Sequence, residues 1–477
     1  MRLAWLLLVS LLLTPSANAT GNNELPTLGD ATSGLISLQQ EYRLGRVWLQ
    51  SLRQQAQVIN EPVLAEYTEN LIYQLASNSE VKDLRLEIVL LDSDQLNAFA
   101  VPGGIIGINA GLFLYAQTES QFAAVMAHEL AHLSQRHFAR QVEESRKQAP
   151  IAMATLLGSI MLLATNNTEA GFAGLMTSQA AATHWALSYS RDWEREADRL
   201  GMHTLVKSGF DPKGMPSMFE QMYDAHKYSA RPPEFLLTHP VTENRIADAA
   251  ARVDSMAKVT PGNDLEYQLM RTALLQKYRT ASHNLNYFQG AATSAKNTNQ
   301  KLVALYGLAL VHIAREEYDE AVAVTRQLIN ADKGRISFIS LHAKALYLSG
   351  EKEDALALIE QHLNLAPDNH PLAMGFAELL QREKQFQRAR NLLQRQVLLR
   401  ATDPFIWQKI GEVESKLGND VGQHKAKAEF YFLTGYKQKA LKQLEIALEK
   451  AQGHYMTSAR IQQRAREIAA SDQNLDF

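Results

Sequence analysis

Three pairs of alanines in the C-terminal half keep a strict spacing. Ala309 with Ala321, Ala343 with Ala355 and Ala377 with Ala389 lie twelve residues apart, and the pairs recur every 34 residues. Each pair is followed by apolar residues at helical spacing, and Pro367 falls at the end of the second unit. A period of this length holds two antiparallel helices, with small residues where the helices cross. Such units bury their apolar faces only against neighbours, so the chain must stack them into a helical array. Trp407, Ile410 and Gly411 fit the first helix of another unit, and Ala428 with Ala440 fits a helix pair displaced from register.

These are the marks of tetratricopeptide repeats, and they assign residues 264–477 to an α-helical solenoid. At 477 residues the chain is too long for one core, which makes residues 20–263 a separate domain. The formal net charge of −3 argues against a polyanion binder, so no nucleic-acid partner is expected. There is no cysteine, which excludes disulfides, thiolate metal ligands and a lipoprotein anchor. Any metal must be held by His, Asp or Glu. At the N-terminus, Met1 and Arg2 precede an apolar run, Leu3 to Leu13, too short to anchor in a bilayer. Ala17-Asn18-Ala19 then supplies small residues for a signal peptidase, so residues 1–19 are expected to be a signal peptide cleaved after Ala19. The periplasm is the expected address.

Residues 20–34 are polar and turn-rich, and a helical pattern runs from Gly34 to about Ser77. Leu84 to Leu91 is β-rich, and Asn97 to Ile108 predicts two short strands broken at Pro102-Gly103-Gly104. Gly111 to Tyr115 and Ser120 to Arg140 return to helical periodicity. The expected fold is therefore mainly α, a helical domain with a small β-sheet followed by the solenoid. Pro150 to Ala164 is strongly apolar but shorter than the roughly 20 residues that span a membrane, and predicts a buried helix. Its alternatives are a flap over the site, or peripheral contact with lipid or an unfolded client. Asn166 to Thr183, rich in Gly, Ala, Thr and Ser, predicts a loop.

His128-Glu129-Leu130-Ala131-His132 lies inside a helical stretch. Positions four apart share a helix face, so both imidazoles can bind one ion, with Glu129 beside it to take a proton from an attacking water. A catalytic zinc needs a third protein ligand and an open position. The extended motif with a third histidine fails, because Gln135 stands where glycine is required and Phe138 where histidine is required. His137 is one residue off and, on a continuous helix, faces away from the pair. A second helical cluster, Ser190 to Asp198, places Glu194 and Asp198 four apart on one face, offering a ligand and an acceptor that orients an imidazole. Glu196 points elsewhere and is expected to be structural.

This motif pair, HELAH and EREAD, with Asn97-Ala98-Phe99 and Pro102-Gly103-Gly104 upstream, resembles the gluzincin peptidases related to the CAAX prenyl protease and the heat-shock protease HtpX. The resemblance implies one zinc per chain, with Glu194 as its third protein ligand and Asp198 supporting the site. It also implies a role for a later histidine with an arginine six residues on, which selects His239 and Arg245. His239 would either stabilise the oxyanion or fill the water position as a fourth ligand. Arg245 would steady the oxyanion or pair with a carboxylate. A strand beside the metal, within Ala98 to Ile108, would bind extended peptide by backbone pairing. With the signal peptide and the repeats, the resemblance implies an endopeptidase acting on misfolded or stalled outer-membrane β-barrel proteins, docked by its repeats onto the β-barrel assembly machinery. The competing expectation is a repeat-based chaperone or scaffold with an idle metal site.

Overall fold

The computed structural model describes residues 37–144, 157–158, 160–161, 189–228, 233–256, 259 and 262–471. The expected signal peptide, the polar leader before Gly34, the 166–183 loop and most of 150–164 lie outside these residues.

Helix α1 (Leu38–Gln55) opens on a capping box in which the Ser37 hydroxyl accepts from the Gln40 amide and the Gln40 side chain accepts in return from the Ser37 amide. Helix α2 (Pro62–Ser77) starts on a proline, whose missing N–H costs nothing at that position. The helical stretch read from Gly34 to Ser77 is thus two helices. Residues 57–59 break it because a sheet edge recruits them: the Ile59 amide donates to the Leu90 carbonyl, and the Asp92 amide to Gln57.

The sheet holds β1 (Glu87–Leu91), β2 (Ala98–Val101) and β3 (Ile105–Asn109) in the order β1-β3-β2. β1 runs parallel to β3, and β2 runs antiparallel to it. The β2–β3 turn needs positive φ at two successive positions, +82° at Gly103 and +77° at Gly104, which is why glycine occupies both. After α3 (Ala110–Tyr115) comes α4 (Glu119–Ser134), capped by Thr118 and Gln121. Every residue of α4 from Gln121 to His132 is buried. A helix enclosed on all sides is a core helix, so the polar residues of this run are buried with it.

Helices α5 (His137–Glu144), α6 (Arg191–Lys207), α7 (Gly214–Tyr228), α8 (Glu234–Thr238) and α9 (Glu243–Ser255) follow; α5, α6 and α7 pack on α4, and α9 packs on α6 and α7. Gly201 lets α6 cross α4 closely: a Cβ there would lie 3.1 Å from the Ala127 carbonyl and the His128 Cα. Of the apolar 150–164 segment, Leu157, Ile160 and Met161 are buried against Trp48, Leu49, Leu52 and Phe99. The Trp48 indole donates to the Leu157 carbonyl at 3.1 Å.

The remaining chain is helical: α10 (Leu265–Tyr278), α11 (Ala281–Thr293), α12 (Thr298–Ala314), α13 (Tyr318–Ala331), α14 (Ile336–Ser349), α15 (Lys352–Leu365), α16 (His370–Arg382), α17 (Phe386–Leu399), α18 (Pro404–Lys416), α19 (Asp420–Leu433), α20 (Lys437–Lys450) and α21 (Tyr455–Ala470). α13, α15, α17 and α19 begin at residues 318, 352, 386 and 420, each 34 after the last. All six repeat alanines are buried. One apolar cluster runs from Leu64 to Leu341 and so continues across the start of the array. Tyr267 stacks on Phe113 at 5.9 Å and donates its hydroxyl to the Ala116 carbonyl at 2.7 Å. Further out the array turns back onto α2, where Asn369 meets Glu66 at 3.2 Å and Arg400 meets Glu69 at 2.6 Å. Among the described residues no helix is long and apolar enough to cross a membrane.

Candidate metal centre

Four side chains from three places in the chain converge between α4, α6 and the end of α8. His128 and His132 bring their Nε2 atoms to 3.0 Å of each other from successive turns of α4. Glu194, in the first turn of α6, lies with Oε1 3.3 Å from His132 Nε2 and Oε2 3.6 Å from His128 Nε2. His239, the residue that ends α8, puts Nδ1 2.9 Å from Glu194 Oε1 and 3.4 Å from His128 Nε2. All four are buried, and their candidate ligand atoms lie within 4.8 Å of one another.

Buried polar neighbours aim the two α4 rings inward. Asp198 Oδ1 lies 3.0 Å from His128 Nδ1, an arrangement that puts the proton on Nδ1 and leaves the Nε2 lone pair facing the centre. His132 Nδ1 lies 2.8 Å from His137 Nδ1, and His137 Nε2 lies 3.1 Å from Glu196 Oε2. Burial keeps both rings neutral, and one proton assignment then satisfies that chain: His137 donates from Nε2 to Glu196 and accepts at Nδ1 from His132, whose Nε2 is then bare. Two bare nitrogens and a carboxylate facing one point repel one another unless a cation lies between them. The donor set, nitrogen with oxygen and no sulfur, fits a borderline divalent ion.

Arg245 pairs with carboxylates. Its Nε and one terminal nitrogen bind Asp198 at 2.8 and 2.7 Å, and the other terminal nitrogen lies 2.7 Å from Glu194 Oε2 and donates to the Pro240 carbonyl at 2.8 Å. Burial is the largest influence on Glu194 and Asp198 and opposes their ionisation, but Arg245 together with the facing histidines outweighs it and holds both below the usual carboxylate range, Glu194 well below. Burial drives the His132 imidazolium far down, so this ring is neutral and able to ligate. For His239 burial is outweighed by Glu194 and Glu129, which raise it. Glu129 is raised by burial. Its Oε2 accepts from the Ala100 amide of β2 at 3.1 Å, while Oε1 is buried with no hydrogen-bond partner among the described residues.

Sequence reasoning set His137 aside as facing away from the pair, gave Glu196 a structural role only, and missed Tyr189. It extended one helix from Ser120 to Arg140, but α4 ends at Ser134 and Arg136 takes φ +52°, held by Glu41 at 2.7 Å. The break swings His137 back beneath His132, fully buried. Trp193 stacks on His137 at 5.5 Å, and Tyr189 stacks on His132 at 4.2 Å. A left-handed arginine carries no sequence signal, so neither the break nor its consequence was readable.

Residues 62–253, from the start of α2 into α9, match the family model described as Peptidase family M48. The chain is 32% identical over 452 residues to the β-barrel assembly-enhancing protease of Escherichia coli (strain K12), covering 95% of this chain and 92% of that protein. The chain belongs to peptidase family M48. It is 30% identical over 478 residues to the β-barrel assembly-enhancing protease of Yersinia pestis, with 98% and 96% of the two chains covered. A more distant likeness, to the mitochondrial metalloendopeptidase OMA1 of Schizosaccharomyces pombe, is 28% identical over 180 residues, 38% of this chain and 50% of that one. As an M48 member this protein is a metallopeptidase, and the cluster of His128, His132, Glu194 and His239 is its candidate metal site.

Proposed function

We propose that this M48 peptidase is a zinc endopeptidase of the periplasm, exported by a signal peptide cleaved after Ala19, that removes misfolded or stalled outer-membrane β-barrel proteins. The convergence of His128, His132 and Glu194 beside Glu129, whose Oε1 makes no hydrogen bond among the described residues, carries the catalytic part of this reading. The name of its relatives, β-barrel assembly-enhancing protease, supports the substrate class. In this proposal His128, His132 and Glu194 hold the zinc, which supplies the Lewis-acid charge that activates water and polarises the scissile carbonyl. Glu129 takes the proton from the attacking water and passes it to the leaving amine; its raised affinity for protons suits that transfer. Asp198 orients His128, and Arg245 keeps Glu194 and Asp198 ionised. β2 presents the substrate backbone next to Glu129.

For His239 the fourth-ligand role has the better support, because Nδ1 lies among the ligand atoms and Nε2 faces Glu129 at 3.5 Å. A resting enzyme closed in this way spares intact clients. We assign residues 264–477 to tetratricopeptide repeats that dock on the assembly machinery, and residues 20–263 to catalysis. A chaperone with an idle metal site is disfavoured, since binding a metal needs the ligands but only hydrolysis needs a base at Glu129. The test is metal content with cleavage of an unfolded outer-membrane β-barrel protein. About one zinc per chain is expected, lost in Glu194→Ala. His239→Ala should keep the zinc and cleave faster. A metal-free wild type after resupply sinks the protease reading, and slower cleavage by His239→Ala returns that histidine to the oxyanion.

A further inference from the structure

The sheet has a second edge, away from the candidate metal centre. β1 bonds to β3 through alternate residues: the Glu87 amide donates to the Gly104 carbonyl at 2.9 Å, and the register pairs Glu87 with Ile105 and Val89 with Gly107. In such a ladder the intervening residue turns its N–H and C=O outward, so Ile88 offers both to the opposite side. That side is a cavity of about 640 Å³ between the peptidase half and the helical array. Ile88 and Leu90 line one wall, Ala65 on α2 another, and Phe405 and Gln408 on α18 the far one.

This edge pairs readily, because the chain itself already uses it. Residues 57–59 lie antiparallel along its far end, with Val58 opposite Leu91 and the Ile59 amide on the Leu90 carbonyl. The natural continuation of that strand would reach Ile88. It does not, because Pro62 begins α2 and turns the chain away. At the other end the Tyr73 hydroxyl approaches the Leu86 carbonyl at 3.4 Å. What remains between Tyr73 and Ile59 is a short open stretch of β1 centred on Ile88, with its backbone donor and acceptor on one side and repeat helices on the other.

We infer that this slot holds an extended segment of a client polypeptide as an added strand on β1, a holding site separate from the cleavage edge at β2. The inference rests on the proposed client class, whose unfolded chains are β-forming and alternate polar with apolar residues. Backbone pairing recognises such a segment without reading its sequence. The cavity suits the alternation, for Val58, Ile59, Pro62 and Phe405 give apolar contact while Arg53, Glu69, Glu87, Arg400 and Asp403 give charge. Two edges of one sheet then serve two fates: β1 retains, β2 presents to Glu129.

The chain's lack of cysteine makes the test direct. Gln408→Cys, at the cavity, and Tyr455→Cys, on the exposed face of α21, each create a single thiol. The probe is a short peptide of alternating threonine and valine bearing a maleimide at one end, used with full-length, metal-loaded protein in a Glu129→Gln background. Labelling at Gln408→Cys should be at least tenfold faster than at Tyr455→Cys. Ile88→Pro, which removes an outward N–H from the edge together with a side chain packed against the core, should abolish that preference. Ala65→Trp, which fills the cavity from α2, should do the same and decides the matter if Ile88→Pro does not fold. Equal labelling at the two thiols, or a preference unchanged by both variants, overturns the holding site. Cleavage of an unfolded β-barrel protein by the Glu129-intact chain is read separately, so a failed slot is distinguishable from a failed protease.

Discussion

His137 shows how far the candidate centre extends beyond its motif. It reaches no reacting atom, yet it accepts from His132 and passes the constraint to Glu196, which Arg140 holds at 3.0 Å. Burial takes its pKa down to about 4, so at neutral pH it is a neutral acceptor. His137→Ala should weaken metal affinity roughly 10–100-fold, measured by competition with a chromophoric chelator, and His137→Asn should recover part of the loss. Unchanged affinity in the alanine variant would reduce His137 to packing. Glu234 illustrates a different economy. It is buried beside Asn97, 3.4 Å away, and burial pushes its pKa up to about 7. A carboxyl raised in the folded state costs no stability below its unfolded value, and its penalty grows as pH rises to the folded value. Glu234→Gln should therefore melt with wild type near pH 4 and stand up to about 3 kcal/mol more stable above pH 7. Melting curves that stay parallel across that range would refute the assignment.

The two helices that build the centre meet through small residues. Ala131 on α4 packs with Ala197 on α6, and Gly201 lies against Ala127 and His128. That closeness brings Glu194 within reach of both imidazoles. Gly201→Val would drive its branched side chain into the α4 backbone, costing about 1–3 kcal/mol, and would push Glu194 outward. We expect melting temperature and metal content to fall together, with more metal lost than protein unfolded. Retention of the full metal content would show that α6 can tilt without moving its first turn. The strands add their own control: the β2 edge engages Glu129 through the Ala100 amide, so the base and the edge strand keep one geometry.

The helical array is not an appendage. Its first helices share the core with α2, α3 and α4, and its later ones close back onto α2 through Asn369 and Arg400. The cavity along β1 has array residues such as Phe405 and Gln408 in its lining, so it depends on that return. Arg400→Glu sets like charge against Glu69 and should release the outer helices. Small-angle scattering should then report a larger radius of gyration while metal content stays at the wild-type level. A loss of metal in the same variant would mean that the array also braces the candidate centre.

Much of this was legible in the order of residues. Periodicity is local, so the 34-residue repeat, the short strands at Leu84–Leu91 and Asn97–Ile108, and the helix carrying His128 and His132 could be read from spacing alone. Chemistry that depends on residues four apart on one helix belongs to the same class, which is why Glu194 with Asp198 stood out. What could not be read was whatever joined distant stretches. The reversal at Arg136 that brings His137 under His132, the buried seat of His239 at the end of α8, the double engagement of Arg245 and the cavity along β1 all depend on how elements pack. Packing is settled by contacts between residues tens or hundreds of positions apart, and no local pattern carries that information.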